Sequence, residues 1–426
     1  MNEELLYYIW KYQRFNTNLL TTEGIPFSVE HPGIRNSDAG PDFTNARIRI
    51  GKTLWAGNVE IHLRSSDWTS HKHHLDEAYN NIILHVVYED DKPVFDKTGN
   101  KIATLQVKNI IDDLLVANYK NFAESKNPVP CSLSLNSVKE VIISVWLEKL
   151  AIERLQNKTE VIFNKLNLYK NDWEQSFYEV FARNFGFNVN SEPFELLAKS
   201  LPQKYFAKSK NNLFQLEALL FGQSGLLDDE FADDYPVKLR NEYQYLQKKY
   251  DLRPIEKHLW RFLRIRPNNF PTIRLAQFAG LIHRSANLFS KIIEAGTMAE
   301  IYELFDLRCS EYWQTHYVFD KSSERSPKNP GRSTINLLII NTIVPFVFAY
   351  GKIKGDDNYT ERALTFLSTV PPEKNQFTEK FLQAGLKPVN AIQSQAMIHL
   401  FHEYCSNKKC LQCSIGDAVL KSGTLI

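Results

Sequence analysis

Gly40-Pro41-Asp42-Phe43, followed after a short hairpin by Gly57-Asn58-Val59-Glu60-Ile61-His62, is the stretch on which the reading of the fold turns. A carboxylate directly after a Gly-Pro turn opens one strand, and a Glu-x-His lies on the strand that returns. Alternate side chains leave opposite faces of a strand, so Trp55, Val59, Ile61 and Leu63 share one face and Asn58, Glu60 and His62 the other. The first face reads as core; the second carries chemistry or meets water. The spacing lets Asp42, Glu60 and His62 converge at one end of a small sheet.

Upstream, residues 3–15 place Leu5, Ile9 and Tyr12 at helical spacing. Gly24-Ile25-Pro26 breaks that pattern before an extended run through Phe27-Ser28-Val29. Thr44 to Ile50 alternates, with Ala46, Ile48 and Ile50 on one face and Arg47 and Arg49 on the other, and Gly51-Lys52 is the hairpin turn. Downstream comes a polar, His-rich segment, Asp67 to Tyr79. Ile82 to Tyr88 is then apolar on both parities, as in a strand covered on both faces. Ile102 to Val107 reads as a last strand. The expectation is a compact α/β unit with a central mixed sheet flanked by helices.

From Asn121 to Pro130 the composition turns polar, which places a boundary near residue 125. The division expected is an α/β domain over 1–125 and a larger all-α region over 126–426. Val138–Leu155, Glu174–Phe185, Pro193–Leu201, Asn211–Phe221 and Glu230–Leu252 read as helices. Arg253 to Arg284 interleaves arginines with Trp260, Phe262, Phe270 and Phe278. That pattern can grip single strands, but a helix pair with an apolar core face and a solvated arginine face explains it better.

The bulk composition is that of an ordinary soluble protein: 43% hydrophobic, 23% charged, net charge +2 over 426 residues. So small a net charge makes the chain no general polyanion binder, and contact with nucleic acid needs a local basic groove. The acidic start Met1-Asn2-Glu3-Glu4 lacks the basic head of a secretory signal. The longest apolar stretch, Ile335–Ala349, is interrupted by Asn336, Asn341 and Pro345 and is shorter than the ~20 residues that span a bilayer. A buried core helix and no membrane partner are expected. Five cysteines suit a reducing compartment, which places the protein in the cytoplasm.

Three of those cysteines, Cys405, Cys410 and Cys413, form a C-x4-C-x2-C run suited to structural Zn²⁺ or an iron–sulfur cluster. Cys309, His402, His399 and Cys131 are candidates for the fourth ligand. In the His-rich segment, His71 and His74 share a face if helical, and Asp76 and His85 could complete a transition-metal site.

Pro41-Asp42 opening one strand, with Glu60-Ile61-His62 on the next, resembles the PD-(D/E)XK nuclease superfamily. The resemblance implies a restriction-endonuclease-like fold, Mg²⁺ or Mn²⁺ held by Asp42 and Glu60, and His62 where that superfamily has lysine. It also implies DNA or RNA as substrate. Over nearly its full length the chain is in addition similar to an uncharacterised bacterial family, through Asp38–Phe43, Gly57–His62, Tyr312–Tyr317 and the terminal cysteines. The expected function is metal-dependent hydrolysis of phosphodiester bonds, with Asp42, Glu60 and His62 as catalytic residues. The alternative is a catalytically inactive nucleic-acid-binding or scaffold protein. A zinc hydrolase built on His71 and His74 ranks third.

Overall fold

The computed structural model describes residues 1–16, 18–285 and 287–422. An N-terminal mixed sheet with flanking helices is followed by a larger helical region. Contacts divide the chain into two compact units. The first holds Met1–Trp146, Glu379–Lys387 and the described residues from His399 on; the second holds Leu147–Thr378 and Pro388–Ile398. The first unit is therefore discontinuous: after the helical region the chain returns to it.

The first unit opens with helix α1 (Glu3–Lys11). Asn2 caps it, its side chain accepting from the Leu5 N–H, and Glu3 and Glu4 sit favourably at the positive end of the helix dipole. Leu5, Leu6, Ile9 and Trp10 are its buried face. Five strands follow in the spatial order β1 (Phe27–His31), β3 (Phe43–Ile50), β4 (Thr53–Arg64), β5 (Ile82–Glu89) and β6 (Thr104–Gln106), with β2 (Ile34–Arg35) paired to β3. The β1, β3 and β4 pairings are antiparallel; β4–β5 and β5–β6 are parallel. Gly51, at φ +57°, turns the β3–β4 hairpin.

A parallel pair needs a crossover of a dozen residues or so. Here it is the His-rich segment, folded as helix α2 (Asp67–Ser70) and two short helical turns, His73–Leu75 and Glu77–Tyr79. Asp91, just after β5, fastens its start, accepting from the Ser65 and Ser66 hydroxyls and the Ser66 N–H. Trp68 fastens its body. The indole is buried against Tyr79, Val94 and Ile102, and its N–H donates to the Phe95 carbonyl at 3.1 Å. Burial of a Trp side chain contributes about 4–5 kcal/mol as an upper figure, so this crossover is a fixed cover over the sheet.

The cover changes the expected exposure of β4. Glu60 and His62, placed by alternation on a face that could have met water, are 5% and 2% exposed. Trp55, assigned to the core face, is instead half exposed, because β4 runs past the covered part of the sheet at its start. Gly57 is required where β4 meets the crossover's end: a Cβ there would stand 2.4 Å from Ile83 Cγ2 and 2.7 Å from the Asn81 carbonyl.

The remaining elements of the first unit include helix α3 (Asp113–Glu124) and the helix Ser414–Lys421, which lies against it. The Tyr8 hydroxyl donates to Asp417 at 2.6 Å and Lys408 Nζ to the Ala123 carbonyl at 2.5 Å, so the returning segment is pinned to both α1 and α3.

The second unit is helical around one apolar core. Helix α4 (Glu140–Leu168) crosses the division between the units, and α5 (Trp173–Phe185), α6 (Phe187–Ser200), α7 (Leu213–Gln223), α8 (Asp234–Tyr250) and α9 (Pro271–Arg284) follow. The basic segment 253–284 is not a helix pair. Its first half is irregular, and Trp260, Phe278 and Arg274 are buried, so these aromatics cannot stack on a nucleic acid. Among the described residues one helix, Arg332–Lys354, is long and apolar enough to cross a membrane; it is mostly buried, and most of its apolar residues belong to the core of this unit.

Candidate metal centre

Asp42 and Glu60 meet through each other's backbone. The Asp42 N–H donates to Glu60 Oε2 at 3.1 Å, and the Ile61 N–H donates to Asp42 Oδ2 at 3.0 Å. Asp42 Oδ1 pairs with Arg35 at 2.9 Å, and the Arg35 guanidinium lies 3.8 Å from the centre of the Tyr7 ring. The carboxylate that opens β3 is thus held beside the one on β4.

Glu60 faces histidines on its other side. Parallel pairing sets Glu60 opposite His85, so Glu60, His62 and His85 lie on the same face. The crossover brings His71 and His73 over that face. Glu60 Oε1 is 3.5 Å from His62 Nε2 and 3.4 Å from His73 Nε2, and His62 Nε2 is 3.2 Å from His71 Nδ1. One donor atom from each of His62, His71 and His73 lies within 4.8 Å of the others, a trio unmatched among the described residues. His85 stands behind, its Nε2 2.8 Å from His62 Nδ1.

Burial governs the charge state. It lowers His62 to about 2, with the neighbouring His85, His73 and His71 adding to the effect, and it lowers His73 to about 4. Burial first and the Asp42 carboxylate second push Glu60 up to about 8. The His62 and His73 imidazoles are therefore neutral lone-pair donors, and Glu60 holds its proton more tightly than a free carboxyl does. His73 Nε2 is buried and makes no hydrogen bond, although it lies within ion-pair distance of Glu60.

These donors fit a cation. Metal–ligand distances of about 2.0–2.1 Å in a tetrahedral site put neighbouring donors ~3.3–3.4 Å apart, and the three separations above bracket that value. A His62 that ligates through Nε2 must carry its proton on Nδ1 and donate it to His85, the usual outer support of a ligating imidazole. His62 thus lies against Glu60, which is in turn linked to Asp42, and the geometry adds His71 and His73. His74 is outside the trio. The pairing of His71 with His74 rested on a continuous helix, but Lys72 takes a left-handed conformation (φ +62°) that ends α2 and swings His73 inward instead. No sequence signal marks Arg35 or Tyr7.

Beside Asp42 is a groove of about 350 Å³ lined by Glu4, Tyr7, Tyr8, Lys11, Tyr12, Arg35 and Phe43, with Leu411 and Gln412 from the returning segment. On the other face of β3, Arg49 is paired with Glu30 at 2.6 Å and Arg47 lies exposed.

In the same unit, Cys405, Cys410 and Cys413 are buried and lie near Cys131, without forming a trio of donors as close as that of the histidines. Burial and the neighbouring thiols push Cys131, Cys405 and Cys410 up, so they stay protonated unless a cation compensates them. The Ile415 and Gly416 N–H groups point at the Cys413 sulfur. Cys309 is elsewhere, in the helical unit beside the Lys328 carbonyl.

No curated protein and no solved structure matches the chain. A family model does, over residues 3–376: the chain belongs to the family described as Protein of unknown function (DUF2851).

Proposed function

We propose that the protein is a metal-dependent hydrolase of phosphodiester bonds in DNA or RNA, with its site on the α/β unit. The observation that carries this reading is the position of Glu60, whose one carboxylate accepts from the Asp42 N–H on one side and faces the imidazole cluster on the other. Such a set of donors has a clear use in holding a divalent cation and little use otherwise, because ionising the buried Glu60 beside the Asp42 charge costs stability unless a cation meets it. The reaction class comes from the resemblance of Pro41-Asp42 and Glu60-Ile61-His62 to the PD-(D/E)XK nucleases.

Asp42 and Glu60 are the oxygen ligands in this reading, suited to Mg²⁺ or Mn²⁺. The nitrogen donors beside them shift the preference toward Mn²⁺ or Zn²⁺. Bound there, the cation supplies Lewis-acid charge to the scissile phosphate and lowers the pKa of water. Lys11 and Arg35, the latter also paired with Asp42, neutralise backbone phosphates in the groove, while the exposed Tyr12 offers a ring face to bases. His62, enclosed and neutral, serves as a ligand in the place where lysine is usual. The buried thiols Cys131, Cys405, Cys410 and Cys413 are assigned a structural site for Zn²⁺ or an iron–sulfur cluster.

The test is a cleavage panel of single- and double-stranded DNA and RNA with Mg²⁺, Mn²⁺, Zn²⁺ or chelator, comparing wild type with Glu60→Gln. Metal-dependent cleavage, greater in Mn²⁺ than in Mg²⁺ and reduced ~100-fold or more in the variant, is the expected result. Absence of cleavage under every condition, or a fully active Glu60→Gln, overturns the proposal.

A further inference from the structure

The helical unit holds a polar pocket that the hydrolase reading does not use. It is a cavity of about 370 Å³ between Phe187, residues 266–269, α9 and the start of the helix Arg332–Lys354. Arg274, on α9, lines it and is only 4% exposed. Its guanidinium donates to Gln277 Oε1 at 2.9 Å, Asn269 Oδ1 at 2.6 Å and Thr334 Oγ1 at 3.3 Å, and lies 4.7 Å from the centre of the Phe187 ring. All of these partners are neutral. Its Nε is buried without a partner, and no carboxylate lines the cavity.

A guanidinium stays ionised under any ordinary condition, and a buried charge is costly unless an opposite charge meets it. The partner missing from Arg274 is an anion. Around the same cavity are a second cation, Arg266, and the amides of Asn268 and Asn269. The 23-residue helix Arg332–Lys354 begins here, after Gly331, with no side chain capping its first N–H groups. Arginine forks and free helix N–H groups together suit an anion with several acceptor oxygens. The cavity is larger than one phosphate group, which leaves room for whatever carries it.

We propose that this pocket binds a phosphate group, with Arg274 and Arg266 as its charge partners. The assignment goes beyond the hydrolase reading and does not depend on it. The phosphate is either a free phosphoryl anion or part of a nucleic-acid backbone, and two titrations separate these sources.

The intact chain, with chelator present, is titrated calorimetrically with inorganic phosphate and with a short single-stranded oligonucleotide. For inorganic phosphate one saturable site is expected. Arg274→Gln weakens it about 10-fold or more, Arg266→Gln weakens it several-fold, and Glu60→Gln leaves it unchanged. Oligonucleotide binding that inorganic phosphate competes away identifies the backbone as the source; phosphate binding alone identifies the free anion. Failure of both to bind overturns the proposal. So does inorganic-phosphate binding that survives both arginine substitutions with circular dichroism unchanged. Should Arg274→Gln fail to fold, the exposed Arg266 decides: a folded Arg266→Gln that binds as wild type overturns it.

Discussion

Substitution of Asp42 separates a structural clamp from a metal ligand. Its Oδ2 accepts the Ile61 N–H and its Oδ1 pairs with Arg35. In Asp42→Ala the Ile61 N–H, in a residue only 1% exposed, is left without an acceptor, which costs about 1–3 kcal/mol. Arg35 is about one-third exposed, so loss of that pair adds little. For a unit of this size each kcal/mol is worth ~2–4 °C, so melting falls by about 2–12 °C. Asp42→Asn keeps an oxygen for the Ile61 N–H and stays within about 1 kcal/mol of wild type. It nonetheless lacks the charge a cation needs. Urea unfolding followed by tryptophan fluorescence gives the stabilities, and Mn²⁺ titration gives the binding. A stable Asp42→Asn with weakened Mn²⁺ binding and lost cleavage is expected. Wild-type Mn²⁺ affinity and cleavage in that variant would reduce Asp42 to a clamp and refute the reasoning.

Glu217, fully buried, is pushed up to about 7 by burial, against hydrogen bonds from Tyr235, Ser310 and Trp313. A carboxyl whose folded pKa exceeds its unfolded value stabilises below the unfolded value and loses that contribution as pH rises through the folded one. Stability therefore falls by roughly 3 kcal/mol from pH 4.5 to above pH 7 on this account. Glu217→Gln removes this slope; an unchanged stability–pH profile in the variant rejects the assignment. In Gly222→Ala the added Cβ would stand 1.9 Å from Tyr243 Cγ, forcing α7 and α8 apart at a cost of about 3 kcal/mol or more; a melting temperature within 1 °C of wild type speaks against so close an approach. Cys131→Ser lowers retained zinc or iron, measured by mass spectrometry after anaerobic purification, as much as Cys413→Ser does. Full retention in Cys131→Ser removes Cys131 from the site.

The alternation along β4 was enough to put Glu60 and His62 on one face, because strand geometry is local. What covers that face was not legible. The cover depends on Trp68 and Asp91 fastening the crossover, contacts between residues whose sequence spacing carries no period. The choice of His73 over His74 hinges on the left-handed backbone at Lys72, a residue type with no preference for that conformation. Helices of the second unit showed through their apolar spacing, but segment 253–284 did not. Its arginines look alike in sequence, yet Arg274 is buried among neutral partners while Arg266 is exposed. Cys131 joins Cys405, Cys410 and Cys413 only because the chain returns to the first unit, a long-range event no motif announces.

That return has a consequence for how the protein is made. A ribosome delivers α1, the sheet and Cys131 early, but Asp417, which accepts from Tyr8, and the other three thiols emerge only after residues 147–378. At ~5–20 residues per second the nascent α/β unit waits on the order of tens of seconds with its closing segment missing. During that interval the faces of α1 and α3 that the segment will cover stay open to chaperones or to neighbouring nascent chains. A truncated gene ending near residue 125 reproduces this unfinished state permanently, so production of the α/β unit by itself calls for the returning segment to be grafted directly after residue 146.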